Sequence, residues 1–461
     1  MKARHVSRRD FLRTTAFLGL GVAGSSLIAA CGSPSPEASD GESGAEAPAA
    51  AVTEIRVQTP GLPFLTSAAE WGMERFNEEN TDIQAISEVT PYDEILTKTE
   101  VGFATGTLQD IPWSQARWHK LCAYRGIFMP IDDLINTDPP DNFEDFFPRA
   151  IEAIRWEGEL HGLLDFVRLS PTAELHYNKT LLEDAGVDLP TEDWTVLDLE
   201  AAARAVADPD NRIFGFEAPW HTDLHRLSGL TRAWGDPTLD DKRGWPISED
   251  GTEFRLLEPL VSDAIQWFLR MLDDRVTPRA ADEIQGGNFQ AGILAFTANY
   301  NGSYVTYEEI IGDRFEWGAM MFPPGPDGRR GTCLESGHWT INSQSSNTDA
   351  AWQVVKRMTD EDSNIAGAMN WGKNPGRRSG YLHESVNDPY PTHAMAVPIM
   401  DEWLEPFPMT DNLRYEEARR RYEEEISFIR DGERTWDEYA ETVRRNVQAV
   451  LDEPRPAVEV D

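Results

Sequence analysis

The sequence predicts an α/β fold with largely parallel sheets, on three observations. Strand-like and helix-like patterns alternate along the chain. Several helix starts carry capping signals at fixed offsets. Beyond an N-terminal leader and linker lie about 400 residues, enough for two or three domains. The composition, 40% hydrophobic and 10% aromatic, is that of a chain with a large core.

The elements follow in order. Residues 54–59 alternate Ile55 and Val57 with polar neighbours, which reads as a strand. Ser67 and Glu70 form a capping box, and Ala69, Met73 and Phe76 then recur at helical spacing. Residues 83–89 read as a second strand. Residues 92–105 read as a helix with Ile95, Thr99, Gly102 and Phe103 on one side. Residues 180–185 form a short helix stopped at Gly186. Thr195 with Asp198 caps a helix running through Val206, and residues 292–297 are a strand. Thr435 with Glu438 caps a helix whose face is Trp436, Tyr439, Val443, Val447 and Leu451. No internal repeat is visible.

The leader predicts export. Lys2, Arg4, Arg8, Arg9 and Arg13 precede an apolar stretch over 16–30, too short for a membrane span, which ends in small residues before Cys31. The Arg8-Arg9 pair resembles a twin-arginine export signal. Ile28-Ala-Ala-Cys31 resembles a lipobox, in which Cys31 takes lipid and becomes the new N-terminus. Residues 1–30 are thus expected to be a signal peptide. Residues 31–53, dominated by Pro, Ser, Gly, Ala and acids, are expected to be a lipidated, disordered tether. The mature protein would sit on the outer face of the cytoplasmic membrane.

Charge excludes some functions. The formal net charge is −38, with 80 acidic residues against 42 basic ones. A field of that sign argues against nucleic acid and anionic lipid surfaces as partners. It suits a surface that stays hydrated at high salt. Besides Cys31 the chain has Cys122 and Cys333, which could pair outside the cytoplasm or lie separately buried.

Catalytic motifs are sparse. Gly19-Leu-Gly-Val-Ala-Gly24 matches a dinucleotide pattern but lies in the leader and follows no strand. The acid pairs Glu157/Glu159 and Glu308/Glu309 are neighbours in sequence, which does not place a general acid and base across a bond. His221, Asp223 and His225 would share a face if helical and could hold a metal, although such groups more often line polar pockets. No metal or other cofactor is assigned.

The order of landmarks is more specific. Tyr92-Asp-Glu-Ile-Leu, Ala104-Thr-Gly-Thr-Leu-Gln-Asp110 and Phe146-Phe-Pro-Arg-Ala are followed by Glu157-Gly-Glu-Leu-His-Gly162 and Tyr177-Asn-Lys-Thr-Leu-Leu-Glu-Asp-Ala-Gly186. Pro323-Pro-Gly-Pro326 and Ala350-Ala-Trp-Gln-Val-Val-Lys356 come later. This series resembles the extracellular solute-binding proteins of carbohydrate ABC importers, among them maltodextrin- and oligosaccharide-binding proteins, from about residue 54 to the end. Departures fall at Gly106-Thr-Leu-Gln-Asp110 and at Gly162-Leu-Leu, both near the expected cleft.

The resemblance implies a periplasmic-binding-protein-like fold: two α/β lobes, interleaved chain crossings and a ligand cleft between them. It implies lobe one over 54–167 plus 293–346, lobe two over 168–292 plus 347–453, and a tail over 454–461. Both remaining cysteines would then fall in lobe one. It also implies a monomer that hands its solute to ABC permease subunits.

The chain has fifteen Trp, and several stand in loop-like stretches that would face a cleft. An indole stacks on the apolar face of a sugar while polar groups bind its rim. The expected ligand-binding aromatics are Trp113, Trp220, Trp234, Tyr300, Trp339 and Trp371. Their expected polar companions are Asp110, Gln115, Glu174, His221, Asp223, Asn301, His338 and Arg377. A binder of carbohydrate is the leading function. A binder of a polyamine or another cation, or an anchored glycoside hydrolase, would use similar residues.

Overall fold

The computed structural model describes residues 52–169, 174–218, 224–236, 238, 242–300, 302–388, 392–402 and 411–458. The leader and most of the tether, Cys31 included, lie outside these residues.

Strand β1 (Thr53–Pro60) pairs in parallel with β2 (Ile83–Thr90), joined by the helix Pro63–Glu79. That helix begins at Pro63, ahead of the expected Ser67 cap. A proline's fixed φ and missing N–H suit the first turn, so it sets the start. The expected helix over 92–105 is a 3-10 turn, Tyr92–Glu94, followed by the helix Ile95–Ala104. Next come β3 (Trp113–Gln115) and the helix Ala116–Tyr124. A hairpin of β4 (Arg155–Trp156) and β5 (Glu159–Leu160) turns through Glu157 and Gly158, both at positive φ. The chain continues through β6 (Leu163–Leu169), β7 (Glu174–Asn178), β8 (Phe214–Glu217), β9 (Leu294–Asn299), β10 (Trp317–Met321) and β11 (Leu334–Trp339).

The sheets are mixed, where largely parallel ones were expected. Among the described strands, β1·β2 and β8·β9 pair in parallel. The β3·β11, β11·β6, β10·β7, β7·β9 and β4·β5 pairs are antiparallel. Alternation implies parallel strands only when each helix returns the chain to the same sheet edge. Here long connections insert β6 and β11 in opposite directions.

Two large cores divide the body, with a small third cluster of Phe214, Phe289, Leu294, Tyr307 and Ile311. The first gathers Ile55, Phe76, Ile95, Trp113, Trp118, Phe166, Trp339 and Trp352. The second gathers Leu175, Phe216, Trp245, Trp267, Phe296, Phe322, Tyr422 and Val447. Each fully buried large side chain contributes roughly 1.5–3 kcal/mol. β9 and β10 hydrogen-bond in the sheet of β7 and β8, and Ala295, Phe296 and Met320 pack in the second core. The helix Thr348–Met358 instead packs Ala351, Trp352 and Val355 into the first. The expected lobes, 293–346 in one and 347–453 in two, are thus departed from at β9 and β10 and at Thr348–Met358, while β11 packs Leu334 and Trp339 in the first core and Tyr422 and Val447 pack in the second. Hydrophobic patterning shows that a strand is buried, but not in which of two cores.

The predicted caps at Thr195 and Thr435 both form, each with its reciprocal acid. Gly186 takes the left-handed conformation expected of a helix stop. Cys122 lies in the first core and Cys333 in the second, and both are buried, so Cys333 is not in lobe one as expected. Among the described residues, no helix is long and apolar enough to cross a membrane.

Candidate functional site

A cavity of about 760 Å³ opens between the two cores. Its floor is built on β6 and β11, which bring Arg168 and Glu335 opposite one another in register. One wall comes from the first core's side, with Phe64, Tyr92, Leu96, Arg117 and Trp118. The other comes from the second, with His225 and Arg226 on the helix Leu224–Thr231, Tyr300 just past β9, and Glu416 and Arg419 on the helix Tyr415–Arg430. Trp371 and Asn374 close one end.

The floor is an ionic network. Arg168 Nε donates to Glu335 at 2.9 Å, Gln115 donates to the same carboxylate, and His225 Nε2 lies 3.7 Å from it. Burial pulls the Glu335 carboxyl upward, but Arg168 and His225 outweigh it and hold the group ionised, well below the usual range. Gln115 Oε1 in turn accepts from the Tyr92 hydroxyl at 2.6 Å and from Arg117 at 2.8 Å. The Arg168 guanidinium lies 3.5 Å above the Tyr300 ring, and Arg226 donates to the Tyr300 hydroxyl at 3.2 Å. Burial pushes the Tyr300 hydroxyl up to about 12, so it stays a neutral donor and acceptor.

Two glycines let the walls meet. A Cβ on Gly302 would come within 2.9 Å of the Gly372 carbonyl oxygen, and one on Gly372 within 2.9 Å of the Gly302 oxygen. The loops carrying Tyr300 and Trp371 therefore touch.

Of the expected site residues, Tyr300 and Trp371 line this cavity. Gln115 supports its floor from behind, 1% exposed. Trp220, His221, Asp223 and Asn301 lie outside the described residues. The others are placed elsewhere. Trp113 is fully buried and donates to Asp165 at 3.0 Å, because β3, the edge strand beside β11, turns its ring into the first core. Trp339, opposite it in register, is 1% exposed. Trp234 packs on Trp267 in the second core, with ring centroids 5.4 Å apart.

Asp110 binds the Arg56 amide at 3.0 Å and the Ser345 hydroxyl at 2.6 Å, pinning loops to β1. Glu174 is buried beside His176, 3.3 Å away. His338 bonds Ser336 at 2.8 Å and abuts His119. Arg377 binds the carbonyls of Thr359, Asp141 and Asn142 and lies over Phe146. Among the described residues, no group of three His, Cys, Asp or Glu side chains could hold a metal ion.

Sequence reasoning missed Arg117, Trp118, Arg168, Arg226 and Glu335. A signal was present for two of them. Arg168 stands in the apolar run over 163–169, and Glu335 follows Cys333-Leu, so each places a charge where a strand should be buried.

Two cores joined by crossing strands, with a polar and aromatic cavity between them, define a two-lobed solute-binding protein. The family model described as bacterial extracellular solute-binding protein matches residues 63–365, and the chain belongs to that family. A binding protein of Brucella abortus is 26% identical over 295 residues, covering 62% of this chain and 67% of its own length. Among solved structures, an ABC substrate-binding protein of Listeria monocytogenes in complex with cycloalternan superposes with a TM-score of 0.75. The two are 19% identical, and the match covers 87% of this chain and all of that one. The GacH receptor of Streptomyces glaucescens, studied unliganded and with acarbose, gives 0.72 at 19% identity over 88% and 100% of the two chains. A solute-binding protein of Thermotoga lettingae bound to α-D-tagatose gives 0.71 at 18% over 87% and 100%. At these identities the structural matches establish the fold.

Proposed function

We propose that this protein captures a carbohydrate between its lobes and delivers it to the permease of an ABC transporter. The observation that carries the reading is the cavity itself. Tyr92, Trp118, Tyr300 and Trp371 line it with aromatic rings, of which Trp371 is half-buried at its end, and Arg117, Arg226 and Asn374 stand beside them. That is the chemistry a sugar ring presents in reverse: C–H faces and a rim of hydroxyls. The sugars and sugar derivatives in complexes with structural neighbours support the same reading.

A cationic solute fits poorly where guanidinium groups converge. A glycosidase would need a proton-donating carboxyl, and the Arg168-bound Glu335 is held ionised. The lobes would close on the ligand as rigid bodies about the crossing strands. Lipid on Cys31 would hold the protein, a monomer, at the membrane's outer face.

A thermal-shift screen against mono- and oligosaccharides tests the capture. A ligand at 100 times its Kd stabilises the folded state by about 2.7 kcal/mol and raises the midpoint. No shift with any sugar, but a shift with polyamines, would reject the reading. Cys31→Ala tests the anchor: the variant should leave the membrane fraction.

A further inference from the structure

We propose that Asn299, which does not line the cavity, is a positioning residue of the carbohydrate site: it fixes Tyr300 on the cavity wall by tying it to the buried Tyr307. This rests on the carbohydrate reading and adds to it the residue that sets one wall. β9 ends at Asn299, opposite Glu174, so Tyr300 is the first residue beyond the strand ladder. Its backbone is held locally instead. Asn299 Oδ1 accepts from the Tyr300 amide at 2.9 Å. The Tyr300 carbonyl accepts from the amides of Gly302 and Ser303 at 2.9 and 3.2 Å.

The orientation of the Asn299 amide is forced. A backbone N–H can only donate, so the side-chain oxygen must face Tyr300 and the NH2 group must point elsewhere. That group donates to the Tyr307 hydroxyl at 2.6 Å. Tyr307 is 3% exposed and lies among three rings, with centroids 4.8 Å away at His176, 5.1 Å at Phe289 and 5.9 Å at Trp317. Burial pushes its hydroxyl up, so it stays protonated and neutral. A ring packed on several sides keeps one rotamer, which makes Tyr307 a fixed anchor.

Tyr300 sits where such an anchor matters. Arg168 lies 3.5 Å over its ring, and Arg226 donates to its hydroxyl at 3.2 Å. A turn of Tyr300 would shift both contacts and the wall they form. Arginine side chains lose much rotamer freedom when ordered, so a wall set before the ligand arrives lowers the cost of binding.

The test is a double-mutant cycle read by calorimetric titration with D-tagatose, acarbose and maltotetraose. For a probe that the wild type binds, Asn299→Ala should weaken binding about tenfold, and Tyr300→Ala at least as much. In the Tyr300→Ala background, Asn299→Ala should change affinity less than about twofold, because the side chain it positions is gone. A residue that only supports the fold would weaken binding by the same factor in both backgrounds. Tyr307→Phe, which keeps the packed ring and removes the hydroxyl, takes the place of Asn299→Ala in the cycle if that variant does not fold, with an expected loss of about threefold.

Three results would overturn the inference and leave the carbohydrate reading standing: undiminished affinity in Asn299→Ala, undiminished affinity in Tyr300→Ala, or equal losses in the two backgrounds. No binding of any of the three probes to the wild type would count against the carbohydrate reading itself, and the inference would fall with it.

Discussion

Arg168 and Glu335 face each other in the register of β6 and β11, Nε to carboxylate oxygen at 2.9 Å, and together they form the charged floor between two hydrophobic cores. Both side chains are mostly buried, at 12% and 6% exposure. Removing one partner from such a pair strands the other.

Arg168→Met should therefore destabilise the protein by about 3–5 kcal/mol in a denaturant melt, because it leaves a buried carboxylate without its main partner. Glu335 also sets a pH dependence. Its folded pKa lies below the unfolded one, so its stabilisation is complete above the usual carboxylate range and declines as pH falls through it. Between roughly pH 5 and 3 the wild-type midpoint should fall more steeply than that of Arg168→Met/Glu335→Gln. Parallel curves would mean that the pair does not carry this linkage.

Three buried histidines add a second window. Burial lowers His338 and His393 to about 3 and His119 well below its ordinary value, with His338 pressing His119 further down. A base with a depressed folded pKa stabilises fully above its unfolded value and loses that stability as pH falls. Melting midpoints should thus begin to drop near pH 6.5, ahead of the carboxylates. His338→Gln should flatten the curve between about pH 6 and 4 relative to wild type. An unchanged slope would show that His338 does not contribute.

Trp113 and Trp371 should separate stability from binding. Trp113→Ala removes a fully buried ring and its bond to Asp165, and should cost roughly 3–5 kcal/mol of stability. Trp371 is half-buried at the cavity's end, so its replacement should leave the denaturant midpoint nearly unchanged. A collapsed melt for Trp371→Ala would make it a core residue.

The contact of Gly302 with Gly372 predicts a steric control of closure. Gly302→Val should hold the two loops apart and weaken ligand binding at least tenfold, about 1.4 kcal/mol. Small-angle scattering with saturating ligand should then show a larger radius of gyration than for the wild type. Equal radii would mean that this contact does not limit closure.

The alternation of strands and helices was legible in the sequence because capping boxes and apolar periodicity are local. Thr195 with Asp198, Thr435 with Glu438 and the stop at Gly186 all form as expected. Which core a strand joins was not legible. Ala295 and Phe296 would look equally buried in either sheet, and hydrogen bonding to β7 decides it. The site was read only in part for a related reason. An aromatic beside Gly or Pro suits a core as well as a cleft: Trp339 became core and Trp371 cavity. The charges of Arg168 and Glu335, set in strands whose other residues are nearly all buried, were a signal that pointed to the floor of the cavity.

The most direct test of the central claim, that this cavity binds carbohydrate, is titration calorimetry of the wild type and Trp371→Ala with a sugar from the screen. Losing a stacked ring removes its stacking energy of about 0.5–1.5 kcal/mol together with its apolar contact. The account predicts saturable binding to the wild type and at least tenfold weaker binding to the variant, about 1.4 kcal/mol. Equal affinity for both proteins, or no heat from any carbohydrate at saturating concentration, would contradict it.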